Sequence, residues 1–585
     1  MRKRGITVLL VSLCILLVLA LALPACAPAT PTPTPTTTPP ATIATPTPQP
    51  TPTTPGVTPS PTTPRPTTPT PTTPGVTTPT PAATPTVVKA PPSGTLRVAT
   101  TDFAYESFDP IFYESFWGWA IYDPLITWDE KGNYVGSVAE SWSISPDGNT
   151  WTFKIRRGIK FHNGDTLTAH DVKFSVDRFG SPESTNPWSR YLSAAYNKKS
   201  STVVDDYTFQ FVTNKPEPPL IIPFAWTRIL PKTYFERVGQ EAFRRAPIGS
   251  GPWKFVSFQS KVRTRLEANV DYWDKSRVPS FQFVVDMMVP EAATQLAMLR
   301  NNEVDIIGTT MDNVKDLQRQ GFKTQIFGLP VLSNFSFQGS WLRTAGPVGD
   351  IRVRQAMSHA INRQEIADGY YLGAAVPGGY WFLHPGGYGW SDAWKVDAFD
   401  VRKARELLAA AGYPGKFPNP VINIYASPGP AVEFIQMIQG YWTAAGIQTR
   451  LNLVDATVWG GYFFNPARRI TDGDPNVGWI FFWIFGSTQN SIYHSSNMFG
   501  SWGAHQTAND PKADEMYTAA TTELDPVKAL AKWTEFRTYA HSMYVNVGIN
   551  IANVPMVLGP AVERVTGRTW ISLQDAFDGF IPRKR

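Results

Sequence analysis

Beyond position 26 this 585-residue chain has no cysteine; its two thiols are Cys14 and Cys26. Disulfides, thiolate metal sites and a cysteine nucleophile are therefore excluded from everything downstream. Long apolar runs are missing after the first one. Ile6 to Leu23 follows the basic residues Arg2, Lys3 and Arg4, and no later window offers the roughly 18 uncharged apolar residues of a spanning helix. An excess of one charge is missing too. The formal net charge is +6; without the three N-terminal basic residues, 50 Lys and Arg face 47 Asp and Glu, with no dense basic run, so nucleic acid is excluded as a partner. Catalytic signatures are also absent: there is no Gly-x-Ser-x-Gly elbow, no His-Glu-x-x-His helix and no phosphate-cradling glycine loop. The adjacent carboxylates Asp205 and Asp206 would point to opposite faces of a strand and cannot flank one bond, so an enzyme is not expected. No two of the seven histidines stand at paired-ligand spacing, and neither a metal nor a cofactor is expected.

What is present begins with an export pattern. A basic start, an apolar run and the sequence Leu23-Pro24-Ala25-Cys26 resemble a bacterial lipoprotein signal, which places cleavage after residue 25 and a lipid on Cys26; the alternative is an uncleaved signal anchor. From 26 to 93 the chain is rich in Pro and Thr, with Thr-Thr-Pro-Gly-Val-Thr at 53–58 repeated at 72–77. Such a segment buries too little apolar surface to offset chain entropy, and it is expected to be a disordered tether of polyproline type. At about 3.1 Å per residue it reaches on the order of 200 Å. The expected location is extracytoplasmic, with the chain held to the cell membrane through its lipid.

From about Gly94 onward, short β-like runs alternate with helical patterns, which predicts an α/β fold. Thr95 to Thr100, Thr150 to Ile155 and Ile159 to Phe161 read as strands, and Asn163-Gly164 as a tight turn. Thr168 with Asp171 forms a capping-box pattern. Asp350, Asn362 and Asp400 each stand where a helix should start, and Gly412 where one should stop.

The block Ala139-Glu-Ser-Trp-Ser-Ile-Ser-Pro-Asp147, continuing through Trp151, Ile155, Phe161, Asp165 and Asp171, resembles the signature of family 5 extracellular solute-binding proteins. Phe108-Asp109-Pro110, Pro247 to Trp253, Asp271-Tyr-Trp273 and Asp350 to Ile361 match in the family's order. The resemblance implies a two-lobed fold of the type II periplasmic binding-protein kind, with a hinge and an interlobe ligand cleft. By that analogy the first lobe is discontinuous, 94–335 with 546–585, and the second is 336–545. It also implies a monomeric receptor that hands its solute to the permease of an ABC importer. Peptides or peptide-like compounds are the leading expectation, and oligosaccharides the alternative.

Peptide receptors of this kind share Gly-Trp-x-x-Asp, whose carboxylate holds the peptide ammonium; the corresponding segment here is Gly478-Trp479-Ile480-Phe481-Phe482, with Phe482 in the Asp position. A shift of register could recruit Asp472 or Asp474. Aromatic residues take the carboxylate's place as candidates: Trp459, Trp479, Phe482 and Trp483 in this region, Trp381, Tyr388 and Trp390 in a Gly-rich loop that also holds His384, and Tyr105, Phe108 and Trp117 after the first strand. The run Trp479 to Phe485 equally reads as a strand buried on both faces.

Overall fold

The computed structural model describes residues 90–583 apart from 102, 104–105, 113–116, 130–133, 187–188, 190–191, 193–199, 327–330, 379–382, 384, 386–388, 416–420, 427–430, 455–477, 487–508, 554 and 567–573. Cys26 and the Pro/Thr-rich segment as far as residue 89 lie outside the described residues. No described helix is long and apolar enough to cross a membrane.

Two large sheets organise the chain. The first runs in the order Lys323–Ile326, Pro555–Leu558, Ile306–Ile307, Thr95–Thr100, Phe283–Met288, Arg263–Ala268, Trp253–Gln259. The second runs Ala375–Pro377, Asn546–Ala552, Val331–Phe337, Ile480–Gly486, Ile422–Ala426, Thr449–Leu453. A separate four-stranded sheet, Ala139–Ile144, Thr150–Ile155, Thr208–Val212, Ser201–Asp205, carries most of the signature block. Because Val331–Phe337 and Asn546–Ala552 pair with each other in the second sheet, a division at 335/336 and 545/546 cuts one strand and falls just ahead of the other. The chain leaves the first large sheet with Lys323–Ile326 and enters the second with Val331–Phe337, and it returns from Asn546–Ala552 to Pro555–Leu558.

Capping residues set the helix starts as the sequence predicts. The Thr168 amide donates to Asp171 at the head of Ala169–Phe179, Asp350 accepts from Arg352 N, Asn362 from Glu365 N and Asp400 from Lys403 N. Gly412 ends its helix at φ +94°, a conformation that costs glycine nothing. Val353, Ala356, Met357, Ala360 and Ile361 form a fully buried face against the second sheet's core. Ile159 to Phe161 differs from expectation: Lys160 makes only a single bridge to Thr166, since the Asn163-Gly164 turn folds the chain back after too few residues for a ladder.

The matched motifs prove to be joints. Asp109, with its side chain 0% exposed, accepts both Arg178 nitrogens at 2.6 and 2.8 Å and Gln240 Nε2 at 3.2 Å, while the guanidinium lies 4.2 Å over Phe235. Asp123 accepts from Ser250, Tyr272 and Trp273 at 3.0, 2.6 and 2.9 Å, which ties the Gly249-Ser250-Gly251 turn to Asp271-Tyr-Trp273. Burial pushes the Asp123 carboxyl up, and Arg277 together with these donors opposes the rise.

His162 is half-buried. Gly249 N donates to its Nδ1 at 3.2 Å and its Nε2 lies 3.0 Å from the Gly251 carbonyl, so the neutral ring satisfies both contacts. Burial lowers its pKa to about 4. A depressed folded-state pKa means that the unfolded chain takes the proton first as pH falls. Stability should therefore be full above about 6.5 and drop by on the order of 3 kcal/mol as pH falls to about 4. His162→Gln should remove most of that slope in urea titrations run between pH 7 and 4, and an unchanged slope would contradict the assignment.

Candidate functional site

The second sheet has two unlike faces. Ile480 and Phe482 point toward the helical core, where the Phe482 ring lies 4.9 Å from Phe335 and 5.3 Å from Phe434. Phe482, expected at the ligand, is thus 5% exposed and packed under the helices. Residue alternation puts Trp479 and Phe481 on the opposite face. There Tyr425, which pairs with Phe481, stacks on Trp479 with ring centroids 3.3 Å apart and planes 9° from parallel.

The turn that delivers Trp479 requires glycine. Gly478 sits at φ +77°, and a Cβ there would stand 2.2 Å from the Ala345 carbonyl oxygen. Gly478 N donates to Gln338 O and Gln338 N donates to Trp479 O, both at 2.9 Å, so Trp479 is fixed opposite Gln338 in the ladder. The same face continues with Asn334, Ser336 and Asn546. Asn546 Nδ2 donates to Asn334 Oδ1 at 2.6 Å and to Ser336 Oγ at 2.9 Å.

Facing this wall is a second group of rings. The hairpin of Ile126–Trp128 and Tyr134–Gly136 and the helix Ile221–Trp226 bring together Trp119, Trp128, Tyr134 and Trp226, with neighbouring centroids 5.0 to 6.2 Å apart. The buried Arg228 guanidinium lies 3.4 Å over Trp119, a cation–π contact within the wall. Ile222, Tyr134 and Trp226 share one apolar cluster with Tyr425, Phe481 and Trp479, so the two walls meet. Elsewhere Gly148, at φ +74°, leaves room for Pro216 and Leu524, which a Cβ would approach to 2.8 and 3.0 Å.

The other expected residues fall elsewhere. Phe108 and Trp117 are each 2% exposed in the core of the first sheet, with rings 5.7 Å apart and Trp117 Nε1 donating to Asp286 at 2.9 Å. Trp390 is half-buried, donates to Asp392 at 2.8 Å and meets Trp394 edge-on. It lines a small pocket of about 40 Å³ with Arg363, Asp397 and Tyr544. Trp483 is in a described strand but its side chain is not described. Tyr105, Trp381, His384, Tyr388, Trp459, Asp472 and Asp474 lie outside the described residues. Sequence reading passed over Trp119, Trp128, Tyr134, Trp226, Tyr425 and Gln338; the tryptophan density from 117 to 128 was the available signal. Among the described residues, no group of three or more His, Cys, Asp or Glu side chains could hold a metal.

Comparison with known proteins agrees with this architecture. Residues 133–510 match the family of bacterial extracellular solute-binding proteins, family 5 middle region. The chain is 30% identical over 378 residues to a dipeptide-binding protein of Escherichia coli, covering 59% of this chain and 67% of that one. It is 28% identical over 389 residues to heme-binding protein A of Haemophilus influenzae, covering 62% and 68%. A solved structure of the periplasmic binding protein DppA from Helicobacter pylori with the peptide STSA superposes at a TM-score of 0.70 over 84% of this chain and 98% of that one, at 22% identity, a likeness of fold.

Proposed function

This chain belongs to the family 5 bacterial extracellular solute-binding proteins, and on that premise we propose that it captures a solute between its two aromatic walls and delivers it to the permease of an ABC importer. The observation that carries the reading is the convergence of Trp226 and Tyr134 with the Tyr425–Trp479 stack in one cluster. Rings placed so offer flat apolar faces on both sides of a ligand. We place the lobe boundaries where the chain leaves one large sheet for the other, so that 331–552 forms the second lobe and the two crossings serve as the hinge. Closure about such a hinge would bring Gly148 and Leu524 into the contact described above. Cys26 is proposed as the lipid-bearing residue and 26–93 as the tether that gives the lobes reach from the membrane.

Dipeptide binding by one relative favours a peptide or peptide-like solute. An oligosaccharide is the second reading, supported by the flat rings of both walls. A thermal-shift panel of di- to pentapeptides and of cello- and xylo-oligosaccharides tests both. A ligand at one hundred times its Kd adds about 2.7 kcal/mol to the native state, which for two lobes unfolding as one unit raises Tm by about 3 °C. No shift from any solute in a broad panel would count against the receptor reading itself.

A further inference from the structure

The four central strands of the second sheet, Val331–Phe337, Ile422–Ala426, Ile480–Gly486 and Asn546–Ala552, contain no Asp, Glu, Lys or Arg. The polar groups these strands and Gln338 place on the face shared with Trp479 are amides and a hydroxyl: Asn334, Ser336, Gln338, Asn423 and Asn546. Two of their atoms have no hydrogen-bond partner among the described residues, Gln338 Oε1 and Asn546 Oδ1. Both residues are nine-tenths buried or more, at 2% and 1% exposure. Both atoms are acceptors. The Asn546 amide has committed its nitrogen to Asn334 and Ser336, which turns its oxygen into the remaining functional end. Gln338 stands directly across the ladder from Trp479, so its carboxamide adjoins the ring platform.

We infer that this face reads an uncharged hydrogen-bond donor of the ligand, a hydroxyl or an acylated amide N–H, with Gln338 as the specificity-determining acceptor beside Trp479. A ligand carboxylate would set oxygen against oxygen there. A free ammonium would enter a face whose strands supply no counter-charge, and it would lose its hydration without an ion partner. A neutral donor suits a carbonyl oxygen already removed from water, since satisfying such an atom gains more than pairing an exposed one. The inference rests on the cleft being the ligand site and adds the chemistry of its polar end.

Isothermal titration of the full-length chain with tetra-alanine, N-acetyl-tetra-alanine amide and cellotetraose separates the possibilities. The blocked peptide or cellotetraose should bind at least about tenfold tighter than tetra-alanine, and the better of the two identifies the source of the donor. Gln338→Leu should weaken that binding by about tenfold or more. Tighter binding of tetra-alanine or unchanged affinity in Gln338→Leu would each overturn the inference while leaving the receptor reading in place. Silence from all three probes would overturn it too, and the wider solute panel then decides whether the receptor reading falls with it.

Discussion

Replacing Asp109 with Ala should lower the free energy of unfolding by about 3–5 kcal/mol. The carboxylate is fully buried and receives two charge-assisted hydrogen bonds from Arg178 and one from Gln240. Removing it strands the Arg178 guanidinium, whose side chain is 12% exposed and held against Phe235. Most of the cost is that uncompensated charge and not the value of the pair. The double replacement Asp109→Leu with Arg178→Met should consequently be less destabilised than Asp109→Ala alone. Urea titrations of both variants measure this, and a double variant worse than the single would show that the pair itself carries the stability.

Trp479→Ala should weaken ligand binding by about 2–4 kcal/mol, or roughly 30- to 1000-fold, since interface energy concentrates in well-packed aromatic anchors. Its ring is held on one side by Tyr425 and by a backbone turn that only glycine allows at position 478. Trp117→Ala provides the contrast. That ring is 2% exposed in the core of the first sheet, so its loss should cost about 3–5 kcal/mol of stability. The folded fraction should keep its affinity. Calorimetric titration of both variants with the best ligand from the solute panel compares them. Equal affinity losses in the two would remove Trp479 from the cleft.

Helix starts and the first strands were legible in the sequence because each depends on neighbours within a few residues. Thr168 with Asp171 and Asp350 with Arg352 are such local contacts. Sheet order was not legible, since pairing Ile306 with Leu558 depends on contacts remote along the chain. The cleft shows the same division. The aromatic run around Trp479 announced itself, but whether Trp479 or Phe482 faced outward was a matter of strand parity, and composition is blind to parity. Trp226 and Tyr134 were passed over because what sets them apart is their cluster with Tyr425, Phe481 and Trp479, which are remote along the chain. Gln338 gave no signal at all: a lone glutamine becomes informative only when its oxygen is found buried without a donor.

The placement of Pro555–Leu558 has a consequence for how the molecule comes into being. This strand lies inside the first sheet, between Lys323–Ile326 and Ile306–Ile307, yet it follows the whole of the second sheet in the chain. A chain emerging from its N-terminus cannot complete its first sheet until Pro555–Leu558 has been made, after every strand of the second sheet. Until then Ile306–Ile307 and Lys323–Ile326 present unpaired edges to any neighbour. Slow, late closure of a sheet is when aggregation competes with folding. Val331 and Ala552 are partners in the ladder, so the second sheet can bring its own ends together first and carry Pro555–Leu558 to the waiting gap.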